Sequence, residues 1–148
     1  MQVEMFILCD RFVIAKSPQG KTVWSIIEPF DSIDLPEFPS RISFSLAAAV
    51  RFFAEEHGNH NIRIRLLDAD LKQLIEPATK KPIELNKQVN VPDENRAHCK
   101  IEIWFAGQSG KIAGPSGVWI EKPGDYFFEL NVDGKNVAQV PLHILLVR

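Results

Sequence analysis

Apolar and charged side chains alternate one for one along two stretches of this chain, and that period constrains the fold more than any other feature. In "NIRIRLLDAD" Ile62, Ile64 and Leu66 fall on one side of an extended backbone, with Arg63, Arg65 and Leu67 on the other. In "AHCKIEIWF" Cys99, Ile101, Ile103 and Phe105 oppose Lys100, Glu102 and Trp104. A period of two marks a half-exposed β-strand. No stretch sustains the period of about 3.6 that an amphipathic helix requires.

Turn chemistry separates the strands. "SPQG" at 17–20 presets a turn through Pro18 and closes it with Gly20. "VEMFILCD" at 3–10 is rich in β-formers, and "KTVWSIIEPFDSI" at 21–33 reads as a second strand interrupted at Pro29, because proline cannot donate to a ladder. "LPEFPS" at 35–40 is a loop. "SGVWIEKPG" at 116–124 gives a short strand and a turn. Residues 42–56 admit two readings. Ser45 and Gly58 would cap a short helix, but Ile42, Phe44, Leu46, Ala48, Val50 and Phe52 alternate with Ser43, Ser45, Ala47, Ala49 and Arg51, which favours a strand.

The chain closes on a hairpin. Tyr126, Phe128, Leu130 and Val132 face one way, Phe127, Glu129 and Asn131 the other, and Asp133-Gly134 is the expected turn. A plain two-residue turn would set Phe128 opposite Gln139 and Tyr126 opposite Pro141. A bulge or a longer loop around 134–136 is therefore expected. Together these signals give about eight or nine strands in one antiparallel β-sandwich spanning 1–148.

Composition excludes several functions. The 148 residues carry a formal net charge of -2, with the charges interspersed, so no basic footprint for nucleic acid is visible. No apolar run approaches the roughly 20 residues of a membrane-spanning helix. "MQVEMFILCDRF" lacks the basic and small-residue features of a secretory leader, which points to the cytoplasm and to Cys9 and Cys99 as reduced thiols.

The chemical motifs are weak. In "AGQSGKI" Gly107 and Gly110 stand too close for a phosphate loop, and Ile112 occupies the place of the metal-binding hydroxyl. The serines of 106–118 lack the spacing of a nucleophile elbow. "DADLKQLIE" has Lys72 and Gln73 where a calcium loop needs an acidic residue or asparagine and then a glycine. His57 and His60 in "EEHGNH" are weak zinc candidates with no third ligand nearby. No cofactor is implied.

The segments "VEMFILCD", "FDSI" with the prolines after it, "HNIRIRLLDAD" and "PGDYFFELNVDG" resemble a family of small, mostly bacterial proteins of unknown function. The resemblance implies a stand-alone β-sandwich of immunoglobulin-like character and supports the strand reading of 42–53. It transfers no catalytic or ligand-binding residue.

The expectation is a non-catalytic interaction module that binds another protein or a second copy of itself, possible homodimer included. Trp104 is a contact candidate, because it shares a face with Lys100 and Glu102. Phe127, Val140 and Pro141 flank a second one if Pro141 lies on an open edge. The alternatives are a small-ligand or metal-binding protein or enzyme using loops 55–60 and 106–118, and a structural component of a larger assembly.

Overall fold

Sequence periodicity becomes eleven strands among the described residues: β1 (Gln2–Lys16), β2 (Thr22–Pro29), β3 (Ser32–Leu35), β4 (Ser40–Ile42), β5 (Ser45–Phe53), β6 (Gly58–Leu67), β7 (Glu84–Val91), β8 (His98–Ala106), β9 (Val118–Ile120), β10 (Gly124–Val132) and β11 (Lys135–Leu146). The structure is a computed structural model and describes residues 1–93, 98–106 and 117–148. At Phe12, Ile14, Thr22, Trp24 and Ala54, and along 98–106, it describes the backbone alone. The count exceeds the expected eight or nine because β3 and β4 have four and three residues, too few to show an alternation.

The strands form a four-stranded sheet in the order β2-β1-β5-β8, a five-stranded sheet in the order β3-β11-β10-β6-β7, and the small pair β4-β9. Among the described residues all pairings are antiparallel except β3 with β11, where His143–Leu146 runs alongside Ser32–Leu35. This one parallel contact departs from the all-antiparallel reading. The His143 amide donates to the Asp31 carbonyl at 2.7 Å and starts the ladder.

One apolar core joins the sheets. Leu46, Ala48, Val50 and Phe52 of β5 meet Ile62, Ile64 and Leu66 of β6, and Tyr126, Phe128, Leu130 and Val132 of β10. These are the alternating residues of the sequence, now all on inward faces. Phe44 meets Phe128 edge to face at 5.4 Å. Each fully buried Leu, Ile or Phe contributes about 1.5–3 kcal/mol relative to exposure. Residues 45–53 are strand, and the acidic end of the segment is only a 3-10 turn at Ala54–Glu56.

The terminal hairpin carries the expected irregularity. Asp133 and Gly134 have φ of 51° and 82°, which both central positions of a type I′ turn require. Val132 pairs with Lys135 and Asn131 with Asn136, then Leu130 pairs with Ala138. Val137 is the extra residue of a bulge. The shift sets Phe128 opposite Val140 and Tyr126 opposite Leu142, so apolar residues meet apolar residues.

Gly117 holds β4 against β9. Its φ is +91°, and an added Cβ would lie 2.3 Å from the Ile42 carbonyl oxygen. Neither backbone can give way without breaking the Ile42–Val118 pairing. Gly117→Ala should cost about 2 kcal/mol or more, measured by urea unfolding against wild type. Gly134→Ala should cost less, because nothing lies within 4 Å of its added Cβ and only the positive φ is strained.

Candidate functional site

β1 is longer than its support. Gln2 to Cys9 pairs with β5, and the β5 contact ends at Cys9–Ser45. From Arg11 to Lys16 the strand pairs, among the described residues, only with β2, in register from Arg11–Ile27 to Lys16–Thr22. Residues 11–27 thus form a two-stranded ribbon running past the end of β5. Both of its long edges are open among the described residues. The Ser17 amide donates to the Lys21 carbonyl at 2.8 Å and closes the loop.

The exposed face of the ribbon carries apolar side chains between Arg11 and Lys21. Val13, Ala15, Val23 and Ser25 share one face by register, and all are exposed. Val13 is 45% exposed and Val23 43%. An isolated two-stranded ribbon is marginal in water, and contiguous exposed apolar surface marks an interaction site.

The outer face of the five-stranded sheet is the opposite case. Arg65 Nε donates to Glu129 Oε1 at 2.7 Å, Asn131 and Asn136 donate to the same carboxylate, and Arg63 Nε donates to Glu84 Oε2 at 2.7 Å. Burial raises the Glu129 pKa, but Arg65 and Asn131 outweigh it and hold the carboxyl below its usual value. This face satisfies itself.

The sequence candidates disperse. Trp104 pairs through its backbone with Ala47, and its side chain lies outside the described residues. Of the 106–118 loop, residues 107–116 also lie outside them. Phe127 and Pro141 are half-buried and paired with each other. Amide direction alternates along a strand. Since the His143 amide points to Asp31, the ring nitrogen of Pro141 faces the same outer edge, ahead of the four residues that β3 covers. Val140 is half-buried and packs against the core. Cys9 is a buried thiol whose pKa burial and Asp10 push up.

His60 is committed to structure. Its Nδ1 lies 2.7 Å from Asp133 Oδ2, its Nε2 lies 2.6 Å from the Glu56 carbonyl, and its ring stacks on Phe52 at 4.4 Å. With both nitrogens engaged it is not open to a metal, while His57 is exposed. No group of three metal-ligating side chains occurs among the described residues. The imidazole clasps the 3-10 turn to the β10–β11 turn, where Asp133 Oδ1 also accepts from the Asn61 amide at 2.8 Å.

A cleft of about 270 Å³ lies between Asp68, Ile75, Trp119, Glu121 and Tyr126. Its polar groups are largely spoken for. Asp68 Oδ1 accepts from the amides of Asp70 and Lys72, and the Tyr126 hydroxyl donates to the Lys122 carbonyl at 2.7 Å. Beside it Arg41 forks onto the buried Glu76 at 2.8 and 3.2 Å and lies 5.1 Å over the Trp119 ring. The Arg41 hydrogen bonds hold the Glu76 pKa down.

The model of one protein family matches residues 4–145, nearly the whole chain. The chain belongs to DUF6941, a family of unknown function. No curated protein matches the sequence. Among solved structures, this DUF6941 chain is similar to β-glucosidase from Listeria innocua. The complex with isofagomine gives a TM-score of 0.41 and 9% identity over 97% of this chain and 17% of that one. The complex with gluconolactone gives 0.43 and 9%, over 97% and 16%. The chain therefore spans about a sixth of those enzymes.

The β-rich segment read from the sequence, 3–10, stops short of the ribbon. The signal was present. "RFVIA" and "TVWSII" are apolar at odd and even positions alike, a pattern that a half-exposed strand does not produce.

The clasp predicts a pH dependence. Burial pulls the His60 pKa down, but Asp133, the Glu56 carbonyl and the nearby negative charges outweigh it and hold it above the ordinary value. Only the imidazolium can donate from both nitrogens. Its stabilisation is full below about pH 6.5, the unfolded value, and is lost as pH rises through the higher folded value. Urea unfolding across that window should show stability falling in wild type and a flatter profile in His60→Gln.

Proposed function

We propose that this DUF6941 chain acts by binding a protein, not by catalysis, and that the β1–β2 ribbon is the binding element. The observation that carries this is the ribbon's exposed face at Val13, Ala15 and Val23, on a stretch of β1 and β2 that no other strand flanks among the described residues. Leaving that face wet forgoes about 25 cal/mol for every Å² of apolar surface a partner could cover. Edge pairing adds main-chain hydrogen bonds, as in recognition by strand addition. The alternative contact faces have less to gain. Arg63, Arg65, Glu84 and Glu129 already pair with one another on the outer sheet. A catalytic role for His60 is disfavoured by the engagement of both its nitrogens.

Val13→Lys with Val23→Lys places two charges on the exposed face and touches no core residue. The double variant should keep its circular-dichroism spectrum and its melting temperature within a few degrees. Its affinity for any partner or second copy should fall at least about tenfold, by biolayer interferometry or sedimentation. Unchanged binding would move the site elsewhere.

A further inference from the structure

We propose that the cleft beside Tyr126 is a pocket for one arginine side chain of a partner protein. The proposal rests on the protein-binding reading and deepens it, by naming a chemistry that the partner carries.

The cleft has the size and walls for such a guest. Its volume of about 270 Å³ lies just below the range of pockets for drug-sized ligands and suits a single long side chain. Trp119 and Tyr126 give it aromatic walls, and Ile75, 57% exposed, adds apolar surface open to solvent. Arginine buries its methylene stem along surfaces of this kind.

The lining is net negative. Asp68 uses Oδ1 to accept from the amides of Asp70 and Lys72. Its Oδ2 and the Glu121 carboxylate accept no hydrogen bond among the described residues. Burial first, then the charges of Asp68 and Glu121, push the Tyr126 pKa up, so the field of both carboxylates reaches that one hydroxyl. Lys122 opposes them with a single positive charge. Arg41, over the Trp119 ring, is already neutralised by its fork onto Glu76. No group of three metal-ligating side chains occurs among the described residues, so the fitting guest is an organic cation.

Two observations select arginine in a peptide chain. A guanidinium stacks its flat face on aromatic rings while its fork serves carboxylates. Arg41 makes that same arrangement here with Trp119 and Glu76. The Trp119 indole N–H is buried and has no acceptor among the described residues. Buried donors are rarely left unpaired, and a main-chain carbonyl beside the arginine stem is an acceptor of the right kind. Free arginine would bring a carboxylate instead, which a net-negative lining repels.

The test is a titration followed by the indole and amide signals of Trp119, Glu121 and Tyr126 in heteronuclear magnetic resonance. One anchored side chain binds weakly, so the probe, N-acetyl-arginine amide, is taken to about 20 mM. The expected result is a saturable shift of the Trp119 indole N–H. The isosteric neutral probe, N-acetyl-citrulline amide, should bind at least about tenfold more weakly. Glu121→Gln changes an exposed side chain and should weaken arginine binding about threefold or more. Lys122→Gln should tighten it, because a repelling charge is gone. No saturable shift, equal binding of the citrulline probe, or weaker binding in Lys122→Gln overturns the proposal. Butylguanidinium binding as tightly as the amide overturns the peptide source. If the arginine probe fails while Val13→Lys with Val23→Lys still abolishes capture of a partner, the protein-binding reading stands and this one falls.

Discussion

The mismatch in length between β1 and β5 governs the rest of the structure. β1 has fifteen residues and β5 nine, and their pairing stops at Cys9. Upstream of that point β1 is part of the sandwich: Leu8 and Cys9 are fully buried. Downstream its only sheet neighbour among the described residues is β2. One strand is therefore scaffold in its first half and ribbon in its second, and the same β-rich composition has opposite physical meaning in the two.

The two sheets solve the edge problem differently. The five-stranded sheet protects itself with a short parallel cap at β3, with Pro141 turned to the outer edge, with the Val137 bulge and with lysines at Lys87 and Lys135. Its outer face is laced by the half-exposed Arg63–Glu84 pair, which contributes little, and by the Arg65–Glu129 pair, in which the guanidinium keeps a buried carboxylate from being left alone. The four-stranded sheet has none of these devices along Thr22–Ile27. The contrast gives β2 its meaning, since the sequence elsewhere shows how readily this fold accommodates edge protection.

The core was legible because Ile62, Ile64 and Leu66, and Tyr126, Phe128 and Leu130, obey the period of two that a one-sided sheet imposes. The Val137 bulge was legible from mismatched partners, because Phe128 opposite Gln139 costs more than one extra residue. The parallel β3 was not, since four residues of Ser-Ile-Asp-Leu carry no information about strand direction. The ribbon was missed for a different reason. Alternation reports which face is buried, and a segment apolar on both faces reports only that both want covering. Whether the cover comes from the same chain is a matter of how far β5 reaches, which is a property of the tertiary fold.

The ribbon also has a place in time. Its pairs, Lys16–Thr22 through Arg11–Ile27, join residues six to sixteen apart, whereas β1 meets β5 across more than thirty. Hairpins close in about 1–10 μs, and long-range pairing waits on the entropy of larger loops. The apolar ribbon therefore forms ahead of the sandwich that bears it. Chains made close together would present this surface to each other before their own cores had closed.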